Sequence, residues 1–443
     1  MKKFYKRNST KEIFPGEEEE VVGDCSKTAK LSIFSGKKNG IGQIILKCIG
    51  ILLGLIGIYS IAMILVFMLP EDKVKQNIEN SQVTLNSEGA YPLFYVYTNA
   101  GTLDNVTDAL MLQKTLKLEG VTGKLDAAFS VAGYARYWHG YVTYLKPMLM
   151  FMDYNYIRIC LGFLHFMLIC FSFSCIQKRF GWKVSVPFLV AWISSYGMLA
   201  AFSLQYTAAY AIYLLASIFM IQFYKKDSDN SFLLYFFMIV GSVINFFDFL
   251  TFPIITLTVP LILALLVGII EGNDTFRKSI KKVGIATISW GIGYGFTWIA
   301  KWCLANIFLN GNTIENAISS ILFRTQGSVE QPIDRIAVMN WNKDLMIILR
   351  TFLKSPIPWI VLLIYILLRK RIKKTLSYMV LLIVATYPYI WYQVLCNHSM
   401  FHCKFTYKAQ IGTLFAILVF FMYLIFPLNI KLLTHKKKKI KLE

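Results

Sequence analysis

The chain has 443 residues, of which 56% are hydrophobic, 15% aromatic and only 16% charged, yet its formal net charge is +21. That apolar share excludes an ordinary soluble domain, which carries fewer apolar and more charged residues. The basic excess is not a nucleic-acid footprint, because most of it gathers in short links between apolar runs and in the two tails.

Residues 1–40 are polar, include "GEEEE", and read as a cytoplasmic disordered tail. The first apolar run, 41–69, is closed by Pro70 and reads as an uncleaved signal anchor. Further runs lie at 155–176, 184–203, 207–224, 231–249, 252–270, 283–304, 356–368, 375–396 and 408–428. A run near twenty residues long spans ~30 Å of hydrocarbon at about 1.5 Å per residue. The expectation is an all-α polytopic membrane protein with about ten transmembrane helices, its transmembrane domain covering 41–428. The basic links "QKRFGWK", "KKDSDN", "EGNDTFRKSIKK" and "RKRIKK" fall on one side if the spans alternate, together with both tails, including the basic one at 429–443. Lys/Arg-rich short links mark the cytoplasmic side, so both termini are expected inside. Segments 70–146, 305–355 and 396–408 then face outward, and loops that long usually carry function. The eight cysteines form no CxxC pair and no zinc spacing.

The outer segments hold the polar clusters. Glu71 and Asp72 follow the first span, where an end-of-span charge pair accounts for them. In "GTLDNVTDALMLQKTLKLEG" (101–120), Leu103, Val106, Leu110 and Met111 recur near a helical period, predicting an interfacial helix capped by Thr102. Asp104 and Asp108, four apart, share one face of it. Catalysis, metal binding and a solvated face are all open for them.

In "GYARYWHGYVTYLKP" (133–147), Arg136 and His139 are three apart among aromatics, so the stretch suits an interfacial belt, a phosphate grip or both. In "NFFDFLTFP" (245–253), Asn245 and Asp248 end a span, where an external turn competes with a polar cavity. The loop 305–355 carries Arg324, Arg335, Lys343, Arg350 and Lys354, a mixed solvated face some of whose cations could serve an anionic ligand. Last, "NHSMFHCKFTYK" (397–408) holds two of the chain's five histidines, His398 and His402, with Lys404 and Lys408. A basic end-of-span cap, a phosphate-gripping loop and a His-x-x-x-His metal pair are the three readings, and no HExxH motif points to a metalloprotease.

One span, a long outer loop with acidic interfacial helices, then many spans with short inner turns resembles the GT-C superfamily of membrane glycosyltransferases. "LDNVTDALML", "ARYWHGY", "NFFDFLTFP" and "NHSMFHCKFTYK" also look like segments of multi-spanning proteins from clostridia-like Gram-positive bacteria. The resemblance implies a plasma-membrane enzyme moving a sugar from a polyprenyl-phosphate-linked donor to an envelope glycan or protein acceptor. It implies an acid of the first outer loop as general base: Asp104 or Asp108, with Glu71 and Asp72 as rivals that lie nearer the first span. Arg136, His139, Asn245, Asp248, His398, His402, Lys404 and Lys408 would line the substrate site. Some relatives of this architecture use a divalent metal such as Mg or Mn, for which Asp104 and Asp108 would be ligands. The alternatives are a lipid-linked glycan or small-molecule transporter or flippase, and a glycan ligase or polymerase on another fold.

Overall fold

A computed structural model describes residues 40–94, 99–118, 121, 123–131, 133–309, 311–327, 333–368 and 376–426. The tails at 1–39 and 429–443 and the link "RKRIKK" lie outside the described residues. In chain order the helices are α1 (Ile41–Phe67), α2 (Asp72–Glu88), α3 (Asn105–Gln113), α4 (Lys124–Ser130), α5 (Val142–Leu149), α6 (Tyr154–Phe180), α7 (Trp182–Ser194), α8 (Leu204–Phe223), α9 (Asn230–Phe247) and α10 (Ile255–Leu266). They continue with α11 (Phe276–Phe308), α12 (Thr313–Gln326), α13 (Arg335–Leu345), α14 (Ile347–Lys354), α15 (Ile357–Leu368), α16 (Val380–Ala385), α17 (Tyr387–Val394), α18 (Cys396–Phe401), α19 (Cys403–Thr406) and α20 (Ile411–Ile425). Among the described residues, the sole β feature is a bridge pairing Leu93 with Thr102.

The chain is therefore an all-α, multi-pass membrane protein. Among the described residues, six helices are long and apolar enough to cross a bilayer: α1, α6, α8, α9, α11 and the continuous stretch Cys403–Ile425 that ends in α20. The expected ten is not reached by length among the described residues: three apolar runs form shorter or broken helices, and a fourth ends at the limit of the described residues. The run 184–203 holds α7, with Pro187 inside it, and then turns at Tyr196, whose φ is 53°. The run 252–270 gives α10 and a π-helical turn, Val267–Glu271. The run 356–368, expected to extend on its N-terminal side, gives α15, described as far as Leu368. The run 375–396 splits into α16 and α17 at Thr386, with Pro388 in the first turn of α17. Proline lacks the N–H that a helix interior needs, so apolar length alone overstates helix length.

Interior packing is built from close backbone approach and aromatic rings. The α9–α11 pair makes the most extensive helix contact. A Cβ at Gly293 of α11 would collide with the Met238 carbonyl of α9, so only glycine permits this spacing. Tyr59 of α1 stacks on Phe246 of α9 with centroids 4.1 Å apart, and Trp138 meets Phe246 edge-on at 5.7 Å. Such pairs contribute about 0.5–1.5 kcal/mol each beyond their buried area. The buried polar atoms between these helices are satisfied in series. Tyr59 Oη and Ser242 Oγ lie 3.1 Å apart, Ser242 Oγ and Thr297 Oγ1 2.7 Å apart, and Trp138 Nε1 donates to the Thr297 carbonyl at 2.8 Å. Lys301, wholly buried in α11, donates to the Phe129 carbonyl at 2.7 Å and so ties α4 to the bundle.

The C-terminal ends of α1, α9 and α11 meet the N-terminal ends of α6, α8 and α20 at one face of the bundle. The opposite face is clamped by charges. Arg179 grips Glu271 through two bonds of 2.8 and 3.0 Å and donates to the Ile221 and Tyr224 carbonyls, while Lys282 pairs with Asp274 at 2.6 Å.

Candidate functional site

The first face gathers the polar clusters of the sequence. The segment 133–142 is fastened to the end of α9 by Gly140, whose N–H donates to the Phe246 carbonyl at 2.8 Å. A Cβ there would lie 2.6 Å from that carbonyl oxygen, so glycine is required. The preceding His139 takes φ 52°, a left-handed conformation that is costly for a side-chain-bearing residue. The segment after α17 is fastened to α12: Asn397 Nδ2 donates to the Phe323 carbonyl and Cys396 Sγ to the Thr325 carbonyl, both at 2.8 Å. Those carbonyls belong to the last turn of α12, and the Phe323 carbonyl also accepts from Gly327 N at 2.9 Å. The same segment reaches the first loop through Tyr407, whose Oη donates to the Ala100 carbonyl at 2.8 Å, and reaches the turn after α9 through His398, whose Nε2 lies 2.7 Å from the Leu250 carbonyl.

These fastenings enclose a cavity of about 620 Å³ lined by Arg136, Asn316, Ser319, Ser320, Phe323, Arg324, Asn397, His398, Phe401 and His402. Arg136 Nη1 donates to Asn316 Oδ1 at 2.7 Å and Nη2 to Tyr134 Oη at 2.7 Å, its guanidinium lying 4.5 Å from the Tyr134 ring centre. Its Nε is buried and has no partner among the described residues. Arg324 stands over the Tyr137 ring at 5.5 Å and places Nη1 3.4 Å from His398 Nδ1. With a carbonyl at Nε2 and a guanidinium donor at Nδ1, His398 is assigned as the neutral Nε2–H tautomer. Burial first, then His402 and Arg324, hold its proton affinity well below the ordinary histidine value. His402 is exposed at the rim, its ring 4.7 Å from that of His398. Its partial burial and Arg324 lower its pKa, and the Asp104 carboxylate pulls it back upward.

The two first-loop aspartates behave differently. Asp104, not Thr102 as expected, caps α3: it accepts from Thr107 N at 2.9 Å and from Thr107 Oγ1 at 2.7 Å. It is half-buried, and its charge acts on His402. Thr102 is buried in the bridge to Leu93 instead. Asp108 is wholly buried and caps a different helix, α8, accepting from Leu204 N (2.9 Å), Gln205 N (3.0 Å), Ser203 Oγ (3.1 Å) and Tyr154 Oη (2.5 Å). Burial pushes its pKa up to about 6, against the pull of those donors. Four donors on two oxygens leave this carboxylate no room for a substrate proton or a metal ion. The paired-aspartate metal site does not fit this arrangement, and among the described residues no three His, Cys, Asp or Glu side chains are grouped to hold a metal.

The other expected site residues divide. Glu71 pairs with buried Lys146 at 2.9 Å and accepts from Lys117 N at 3.1 Å, which fixes the first loop to α5. Asp72 is exposed in the first turn of α2. His139 is buried, with Nδ1 3.1 Å from Tyr141 Oη and Nε2 3.3 Å from the Tyr134 carbonyl. Burial, then Lys301, Lys114 and Arg136, pull it down to about 3, so it is neutral. Asp248 folds the turn after α9 by accepting from Leu250 N, Thr251 N and Thr251 Oγ1; burial pushes it up to about 6. Asn245 is buried at the end of α9. Lys404 is exposed, 5.2 Å from the Tyr91 ring, and Lys408 is wholly buried on the Ser195 carbonyl (2.9 Å) and Tyr407 Oη (3.0 Å). The cavity thus keeps Arg136, His398 and His402 from the expected set and adds Arg324, Asn316 and Asn397. Arg324 was visible only as one cation in a mixed loop, with no period to mark its inward face.

Comparison with protein-family models, with curated proteins and with solved structures finds no match.

Proposed function

We propose that this chain is a GT-C-like glycosyltransferase of the bacterial plasma membrane, with both termini in the cytoplasm, moving a sugar from a polyprenyl-phosphate donor to an envelope glycan or protein on the outer face. The observation that carries this reading is a cavity whose polar wall is Arg136, Arg324, His398 and His402, with the Asp104 charge acting on His402 at its rim. Phe323 and Phe401 supply an apolar wall, as the first units of a lipid chain would need.

The chemistry assigned to these groups is a displacement. An acceptor hydroxyl oxygen attacks the anomeric carbon while the carbon–oxygen bond to phosphate breaks. The phosphate leaves with the bonding electron pair, and Asp104 takes the hydroxyl proton. Arg324 and Arg136 hold the leaving phosphate as its charge grows. His402, which feels the charges of both Arg324 and Asp104, orients that phosphate through a ring N–H. General-base catalysis typically contributes 10²–10⁴-fold.

The test is consumption of a radiolabelled polyprenyl-phospho-sugar by membranes enriched in the full chain. Wild-type membranes should release polyprenyl phosphate, and Asp104→Asn should slow release at least a hundredfold with donor binding kept. Equal rates in both proteins would remove Asp104 as base. Translocation of intact donor without release would replace the enzyme by a flippase.

A further inference from the structure

Beside the cationic cavity lies a second one of about 570 Å³, lined by Gly133, Ala135, Arg136, Asn312, Thr313, Glu315, Asn316 and Ser319. The two cavities share Arg136, Asn316 and Ser319, and the Arg136–Asn316 hydrogen bond stands between them. Their linings differ in kind. The first has two arginines, two histidines and two phenylalanines. The second has two carboxamides, two hydroxyl residues, one carboxylate and one guanidinium.

The helix period produces that wall. Asn312, Glu315, Asn316 and Ser319 recur at the three-to-four spacing that puts them on one face of the α12 start, with Thr313 at its buried edge and Ala317 facing the bundle. Ile314, Ile318 and Leu322 form a separate apolar stripe. Each carboxamide offers both donors and acceptors. Asn312 Nδ2 already orients Glu315, at 3.2 Å from Oε2.

We propose that this second cavity is a glycan subsite that takes a neutral polyhydroxylated ligand. Sugar hydroxyls are donors and acceptors at once, matching mixed carboxamide, hydroxyl and carboxylate groups. Glu315 disfavours a second anion, and the wall carries no large apolar side chain for an acyl chain to pack on. A volume of about 570 Å³ is within the usual range for small-molecule sites. The shared Arg136 and Asn316 place this ligand directly against whatever occupies the cationic cavity. That the glycan is the acceptor rests on the transfer reading above; that the cavity binds a glycan does not.

The experiment uses the full chain in lipid nanodiscs, neutral trisaccharides of hexoses and N-acetylhexosamines as one probe set, and polyprenyl phosphate as the other. Wild type should bind at least one trisaccharide. The double variant Asn312→Ala/Glu315→Ala, at two exposed positions, should lose at least tenfold in that affinity and keep its affinity for polyprenyl phosphate. Arg324→Ala should show the reverse pattern. No trisaccharide binding by wild type, or unchanged binding by the double variant, overturns the subsite. Trisaccharide binding without donor turnover would keep the subsite and remove the transferase.

Discussion

Asp104 and Asp108 are four residues apart on one short helix, and the helix period makes them equivalent. Their reach does not. Asp108 extends to the first turn of α8 and replaces the cap that Ser203 does not itself supply, whereas Asp104 caps its own helix and keeps an open side. Replacing Asp108 with Asn removes a charge from four donors and leaves part of the helix start unsatisfied. We expect a loss of about 2 kcal/mol or more, read as a lower melting temperature in detergent, with the folded fraction still binding polyprenyl phosphate. Asp104→Asn should cost about 1 kcal/mol or less in the same melt and act on turnover instead. The spacing made both acids visible in the sequence; which one is used up structurally depends on α8, about a hundred residues later, and no local pattern carries that. His139 supplies a pH test. Its folded pKa is depressed to about 3 from 6.5, so the stability it contributes is fully present above pH 6.5 and is lost as pH falls toward 3. His139→Gln should therefore flatten the melting-temperature profile over that window. An unchanged acid limb would show that the imidazole is charged or exposed in the folded protein.

At the scale of elements, α12 decides where the cations stand. Its last turn is held by Asn397 and Cys396, so part of the "NHSMFHCKFTYK" cluster caps a helix while His398 and His402 face the cavity. Asn397→Ala should lose about 1 kcal/mol in the melt and weaken polyprenyl phosphate binding, because the turn that carries Arg324 is no longer fixed. Arg324→Ala should weaken that binding tenfold or more, since a charge-assisted bond to phosphate contributes about 1.5–3 kcal/mol. Hydropathy located all six long helices, five of them to within about five residues, while α11 begins at Phe276, well before the run at 283–304. It missed the interruptions in three other runs: Tyr196 at positive φ, the π-helical turn at Val267–Glu271, and Thr386 just before Pro388. It also left α12 inside an outer loop read as a mixed solvated face, whereas the helix carries an apolar stripe, a polar stripe and a buried edge.

For the whole molecule, alternation of helix direction brings the first loop, the 133–147 stretch, the turn after α9, α12 and the 397–408 segment to one face. The sequence foretold that gathering from the basic links at the other end, but it could not place Lys408 inside the protein rather than in the site. A lysine near a span end reads as an interfacial cation until the Ser195 carbonyl is seen above it. The central claim is that this gathered face holds a lipid-linked phosphate between Arg324, Arg136 and the two histidines, within reach of Asp104. It is tested most directly by photolabelling the full chain in nanodiscs with a polyprenyl phosphate that carries a diazirine on its first isoprene unit, and mapping the adducts by mass spectrometry. The account predicts adducts concentrated on 316–324 and 397–402, competed by unlabelled polyprenyl phosphate and lost in Arg324→Ala. Adducts spread over the bilayer-facing sides of α1 and α6, unaffected by competitor, would contradict it.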